Sequence, residues 1–346
     1  EAREVSVSLR HLSSFLVSPL QGYARYVLGL RDDDEEDLLA IEDEDFASGF
    51  LDELGLLRDV FDDVVRSAPP GRIDGFEAAY DQLSHRRKLR GELPSGLFGT
   101  GERPAHLDVL GMWLHNLPHL GFRQNAPLER RRIGRADEFA DIDDVLDSLK
   151  LRVETERGPL DVELYGETNL VELDSVEGGL PGSMYLMPGS SMKDRYVLNG
   201  FIDYVALVAT GVLDAPGGFR ATCNPRRRLD PNRRGKKYDP ATYTTQLGPL
   251  TRKRATAFLE QLIAEMFGRA HEYLLPFEAV LDWYAPDEDR TLSQLVFYHR
   301  DDAWDAPSSQ YGPIHDWRAF DPPEHAQDVA RRRFALLFDL IEEGRE

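Results

Sequence analysis

Leu160-Asp161-Val162-Glu163-Leu164-Tyr165 alternates apolar and polar side chains and runs into Gly166-Glu167-Thr168-Asn169. A period of two marks a strand with one buried face, and the polar tail ends it. Upstream, Leu151 and Val153 carry the same alternation. Downstream, Met184-Tyr185-Leu186-Met187 leads into the turn signal Pro188-Gly189. Ser190 or Ser191 then caps a helix expected to reach about residue 209, with Val197, Phe201, Tyr204, Val205 and Val208 on its buried side. Phe219-Arg220-Ala221-Thr222-Cys223 reads as a further strand. A strand–helix–strand core of this kind, joined to the mainly helical part that precedes it, makes the fold class α+β.

Outward from this core, the N-terminal part reads as mainly helical. Val5-Ser6-Val7 is strand-like, and a serine cap follows, with Leu9, Leu12, Phe15 and Leu16 at helical spacing. Pro19 opens a second helix carrying Tyr23, Tyr26, Val27 and Leu30. A third spans about 46–66, with Phe50, Leu54, Leu57, Phe61, Val64 and Val65 as its stripe, and Pro69-Pro70-Gly71 stops it. Residues 75–90 read as helix again. The division expected is a helical part over 1–124, a charged connector over 125–150 that includes Arg130-Arg131-Arg132, and an α/β domain over 151–346 ending in a helix. Within the last, a helix from Thr251 to about Tyr273 shows the stripe Phe258, Leu259, Leu262, Ile263 and Met266.

At 346 residues and 41% hydrophobic content, the chain has enough apolar side chain for a sizeable core. It contains no run of the eighteen or so apolar residues that cross a membrane, so no membrane partner is expected. It starts without an initiator Met or a signal-peptide pattern and is expected to be part of a longer protein. The single cysteine, Cys223, rules out a disulfide framework or a four-cysteine metal site within the chain, and a reducing cytoplasm is the expected setting. The net charge of −21 runs against a nucleic-acid partner until its distribution is considered. Asp32-Asp33-Asp34-Glu35-Glu36-Asp37 and Glu42-Asp43-Glu44-Asp45 hold much of the acid and read as a solvated loop. Arg226, Arg227, Arg228, Arg233, Arg234, Lys236 and Lys237 place seven cations within twelve positions, with no aromatic residue interleaved for base stacking. They are the DNA-contact candidates, and the alternative is a flexible loop that offsets nearby acid or docks on an acidic protein face.

Several segments together resemble one family. Ser8, Leu9, Leu12, Phe15 and Pro19, followed by Tyr26-Val27-Leu28-Gly29-Leu30, resemble the opening helices of nuclease-type domains in RecB, RecC and AddB proteins. Gly91-Glu92-Leu93-Pro94-Ser95-Gly96-Leu97-Phe98-Gly99 is similar to the Leu-Pro-x-Gly-x-x-Gly loop of RecC proteins, the gamma subunits of exodeoxyribonuclease V. Pro188-Gly189 and Leu274-Leu275-Pro276-Phe277 fall in the order of the RecC C-terminal region, so the resemblance spans nearly the whole chain. The acidic 32–45 stretch and the long basic 224–240 loop depart from it.

The resemblance implies a degenerate core of the PD-(D/E)xK nuclease superfamily. An active member would end the first segment in a metal-binding Asp and read Asp-x-Lys in the second, where this chain has Asn169, Tyr185 and Met187. Magnesium is held through carboxylates, waters and phosphate, which a Tyr and a Met cannot replace. The implied role is a non-catalytic part of a RecBCD-type helicase–nuclease in double-strand break repair and recombination. Its implied partners are DNA, as a duplex end or single strand, and RecB-like and RecD-like subunits, with no cofactor and no metal in this chain. Signal reading in RecC belongs to regions N-terminal to the part matched.

Other constellations carry less. His115 and His119 have metal-ligand spacing, but Pro118 intervenes and no His-Glu-x-x-His pattern exists, so packing or surface roles are expected. No Gly-x-Ser-x-Gly elbow supports a serine nucleophile. Cys223 reads as a buried structural thiol, and Asp203 as an exposed helical charge. Glu172, Asp174 and Glu177 are the carboxylates that a rearranged, autonomous magnesium nuclease would use, one alternative function; a pure assembly scaffold is the other.

Overall fold

The computed structural model describes residues 2–29, 48–94, 101–134, 145–173, 179–271, 273–285, 289–299 and 325–345. The acidic runs at 32–45 and residues 95–99 of the 91–99 loop lie outside the described residues.

The chain opens with β1 (Arg3–Ser8), α1 (Leu9–Val17) and α2 (Pro19–Tyr26). Ser8 ends the strand and caps the helix: its hydroxyl accepts the His11 N–H at 3.2 Å, and its own N–H donates to His11 Nδ1 at 3.2 Å. This is a reciprocal capping box with His where Glu or Gln usually stands. It needs a neutral imidazole, and burial, aided by Arg10, lowers the His11 pKa to about 4. Three longer helices follow, α3 (Phe50–Ser67), α4 (Glu77–Leu89) and α5 (Arg103–Asn116). The expected α3 stripe is buried at Leu54, Leu57, Phe61 and Val65, whereas Phe50, in its first turn, is 56% exposed.

The strands come next: β2 (Arg132–Ile133), β3 (Val145–Leu146), β4 (Leu149–Thr155), β5 (Gly158–Glu167), β6 (Leu170–Glu172) and β7 (Gly182–Leu186). β5 is the centre of one sheet, parallel to β1 from Arg3 opposite Leu160 to Ser8 opposite Tyr165, and antiparallel to β4. Its last residues pair with β2, which pairs with β3. The second sheet runs β6-β7-β8-β9, with β8 (Phe219–Asn224) parallel to β7 and β9 (Thr244–Leu247) antiparallel to β8. Between β7 and β8 lies α6 (Val197–Thr210), so strand, helix and parallel strand form one crossover unit. Gly200 lets α6 press on β8, since a Cβ there would sit 2.5 Å from the Ala221 Cβ. Gly211, at φ 79°, ends the helix in the left-handed conformation.

α6 starts later than its serines suggest. Ser190 is taken up by the facing loop, its carbonyl accepting the Tyr243 hydroxyl at 3.4 Å and its hydroxyl the Arg227 guanidinium at 3.3 Å. A 3-10 turn at Asp194–Tyr196 begins the helix instead.

The chain closes with α7 (Arg252–Gly268), α8 (Phe277–Tyr284), α9 (Leu292–His299) and α10 (Ala326–Glu343). Thr251 caps α7, and every residue of its expected stripe is buried. It stops at Gly268 rather than near Tyr273 because Arg269 is extended. The turn carries His271 inward, where burial and then Arg333 lower its pKa to about 3. Arg333 of α10, 2% exposed, donates to Glu265 Oε1 at 2.7 Å and lies 4.7 Å from the Phe15 ring. A buried guanidinium is tolerated only when so paired, and here it ties α10 to α7 and α1.

Two hydrophobic cores result. One joins α1, β5, α6, α7 and α10 around Phe15, Leu164, Phe201, Leu259 and Phe334; the other joins α3 and α5 to the second sheet around Phe61, Trp113, Leu186 and Leu229. Each core draws residues from both sides of the 125–150 segment. The fold is α+β with two mixed sheets.

Candidate functional site

Where β5 and β7 end, side chains from α1, α3 and α6 line an open cavity of about 440 Å³. Asn169 and Tyr185 both face it. Met187 does not join them. It falls one residue past the end of β7, has no exposed surface, and packs in the core with Trp113, Leu186 and Cys223.

Asp203 joins the cavity instead, which corrects its reading as an exposed helical charge: it is 3% exposed on the inner face of α6. Asn169 holds it, donating from Nδ2 to Asp203 Oδ2 at 2.9 Å and from its backbone N–H to both carboxylate oxygens at 3.3 Å. Burial pushes the Asp203 carboxyl up to about 6, against the opposing pull of Asn169 and Arg130. The loop that presents Asn169 is itself fixed, because Thr168 is buried, exchanges backbone and side-chain bonds with Arg131, and offers its carbonyl to Arg130 Nη1 at 3.0 Å.

Four guanidinium groups, of Arg10, Arg58, Arg130 and Arg195, line the cavity against the two carboxylates of Glu167 and Asp203. Several are already committed. Arg130 pairs with Asp62, Glu167 with Arg132, and Arg195 with Glu278 at 3.3 Å. Arg58 donates one N–H to the Leu186 carbonyl at 2.6 Å and lies 5.0 Å from the Tyr185 ring. Arg10 is exposed and has no hydrogen-bond or ion-pair partner among the described residues. Tyr185 and Tyr196, with ring centres 5.1 Å apart, form an aromatic wall.

A hard cation needs several oxygen ligands, usually with one or two carboxylates among them. Here Asp203 is occupied by Asn169 and Glu167 by Arg132, so the residues present do not fit a magnesium site. Among the described residues no three His, Cys, Asp or Glu side chains gather for a metal. Glu172 is 3% exposed and turned to Arg123 and Arg220, the latter at 3.7 Å; Asp174 and Glu177 lie outside the described residues. His115 and His119 do meet, with rings 5.1 Å apart, but His115 Nε2 contacts the Leu229 carbonyl at 3.3 Å. Cys223 is buried as expected, and desolvation pushes its thiol far up.

The basic segment is an ordered loop. Asp230 organises it, its N–H donating to the Tyr238 carbonyl at 3.0 Å while its side chain accepts the Asn232 N–H at 2.9 Å. At its base, the buried Asn116 donates from Nδ2 to Asn224 Oδ1 at 2.9 Å and to the Arg227 carbonyl at 2.8 Å, and accepts the Leu229 N–H at 2.9 Å. The seven cations divide. Arg226 and Arg227 are half-buried, Arg226 paired with Glu53 at 2.6 Å, whereas Arg228, Arg233, Arg234, Lys236 and Lys237 are exposed. An aromatic ring is present after all: Arg233 sits 3.8 Å from the centre of the Tyr238 ring, with Lys237 at 5.3 Å and Arg227 at 5.7 Å. Tyr238 directly follows Lys237, so this signal stood in the sequence.

The described residues make an α+β fold with a cavity lined by four arginines, a basic loop and no gathered acid cluster. Residues 4–285 match the RecC C-terminal domain, and the chain belongs to that family. RecC is a subunit of RecBCD-type assemblies acting in DNA repair and recombination. Comparison with curated proteins gives no match. The family match ends at the close of α8, while α10 beyond it packs into the same core. No helix among the described residues is long and apolar enough to cross a membrane.

Proposed function

We propose that this chain is a non-catalytic DNA-binding and scaffolding part of a RecC-type subunit, built on a degenerate PD-(D/E)xK core and working beside RecB-like and RecD-like subunits on broken DNA. The observation that carries the reading is the Asn169–Asp203 pair: an amide occupies the carboxylate that a metal would need, on a cavity edged by a strand–helix–strand unit. The exposed cations of the 228–237 loop neutralise phosphates and release counterions, contributing affinity without sequence preference. Nothing in this scheme moves a proton or activates water, so cleavage belongs to another subunit of the assembly.

The test is to purify the tagged protein from its own host, identify what accompanies it, and titrate its binding to DNA ends with salt. Recovery of a large helicase–nuclease subunit, with salt-dependent binding and no magnesium-dependent degradation by the isolated protein, is the expected result. A partner-free protein that degrades linear DNA with magnesium overturns it. Partners without any DNA binding would leave the assembly-scaffold reading in its place.

A further inference from the structure

The cavity offers more than a vacated metal site requires. Arg10 projects from α1 with all its donors unengaged among the described residues, and Arg58 from α3 spends one N–H on the Leu186 carbonyl. A guanidinium fork matches phosphate oxygens geometrically. Beside these cations stand the half-buried Tyr185 and Tyr196, whose rings meet at 5.1 Å and 39°. Ser13, Ser14 and Asn199 add short polar groups to the rim. A volume near 440 Å³ falls within the range of small-ligand pockets, and it is too small to admit a duplex.

We infer that this cavity holds one unstacked nucleotide of a single DNA strand, with its phosphate on Arg10 and Arg58 and its base on the Tyr185–Tyr196 wall. A free phosphate or an acidic peptide would use the arginines and leave the aromatic wall idle. Only a unit carrying both an anion and a flat π-face engages the whole lining, as single-strand binders do by combining cations with stacking platforms. The cavity also differs from the basic loop in kind: the loop meets phosphates on an open surface, whereas the cavity selects a strand whose bases are already unpaired.

The inference rests on the reading that the chain works on DNA, and the experiment separates the two. The purified protein is bound to oligo-dT carrying a photoreactive thymine analogue, irradiated, digested, and the adduct mapped by mass spectrometry. The expected adducts fall on Tyr185 or Tyr196, and Tyr196→Leu and Arg10→Ala each weaken oligo-dT binding about tenfold. Arg10 is exposed, so its variant reads binding rather than folding. Adducts confined to the Tyr238 loop, with Arg10→Ala binding normally, overturn the cavity site and leave DNA binding intact. Loss on Arg10→Ala but not on Tyr196→Leu, with inorganic phosphate competing, reduces the site to an anion pocket and overturns the nucleotide. A photo-crosslinker at position 196 that captures a protein segment in the assembly overturns it likewise. Absence of all DNA binding sinks both readings.

Discussion

Replacing Asp203 with asparagine should stabilise the protein in a pH-dependent way. The carboxyl is buried between α6 and the Asn169 loop at the floor of the cavity, and its folded value of about 6 lies above the ordinary 3.8. Between those values the folded protein holds the proton that the unfolded chain has released, so stability falls as pH rises through the window. The whole span, from 3.8 to about 6, is worth roughly 3 kcal/mol. About 1.4 kcal/mol of it falls between pH 5 and pH 8. An asparagine side chain keeps an oxygen for the Asn169 N–H and Nδ2–H donors and never ionises. Urea denaturation of both proteins at pH 5 and pH 8 isolates the effect, since the other titrations, including those of His11 and His271, cancel in the difference. Asp203→Asn should gain about 1.4 kcal/mol more over the native protein at pH 8 than at pH 5. A difference that is independent of pH would refute the claim that a buried, ionising carboxylate sits under the cavity.

Reversing Arg228, Arg233, Arg234, Lys236 and Lys237 to glutamate removes only exposed cations, and the slope of log affinity for DNA against log salt should fall by roughly four. An unchanged slope would remove the loop from the DNA contact. Asn116→Ala strips the base of that loop of its buried bonds to Asn224, Arg227 and Leu229, at a cost of about 2–4 kcal/mol in urea denaturation; a loss below 1 kcal/mol would mean that water replaces them. Asn169→Asp sets a second carboxylate at the 2.9 Å contact with Asp203, creating the like-charge pair that a divalent ion relieves. Its melting temperature should rise with millimolar Mn²⁺ while that of the native protein does not, and a flat response in the variant speaks against a nuclease-like origin for the cavity.

β1, β4 and β5 of the first sheet and the stripes of α1, α3 and α7 were legible because each buries one face, which writes a period of two or 3.6 directly into the chain, whereas the two-residue β2 and β3 fall in the stretch read as a charged connector. Asp203 was misread by applying the same logic to α6. Val197-Leu198-Asn199-Gly200-Phe201-Ile202-Asp203-Tyr204-Val205-Ala206-Leu207-Val208-Ala209 is apolar around almost its full circumference, the mark of a helix enclosed on all sides, and its single acid therefore had to be buried. Met187 escaped its expected place for a different reason: side-chain parity holds only while the strand lasts, and β7 ends at Leu186. No pattern could have announced the cavity's cations. Arg10, Arg58, Arg130 and Arg195 arrive from distant segments, and only tertiary packing brings them together. The pairing of Arg226 with Glu53 is equally invisible to local reading.

β1 has a consequence for how the protein comes to exist. Its six residues hydrogen-bond to β5 in parallel, so the second residue pair of the ribbon, Glu4 and Asp161, is separated by the whole of α1 to α5. During synthesis at 5–20 residues per second, that strand waits roughly 10–30 s for its partner to leave the ribosome. Its backbone donors and acceptors stay open meanwhile, and the rest of the core that the α1–α2 hairpin packs into starts only at Ile133. A parallel pairing of such long range is slow to close, which makes the emerging β1–α2 segment the natural point of engagement for a chaperone.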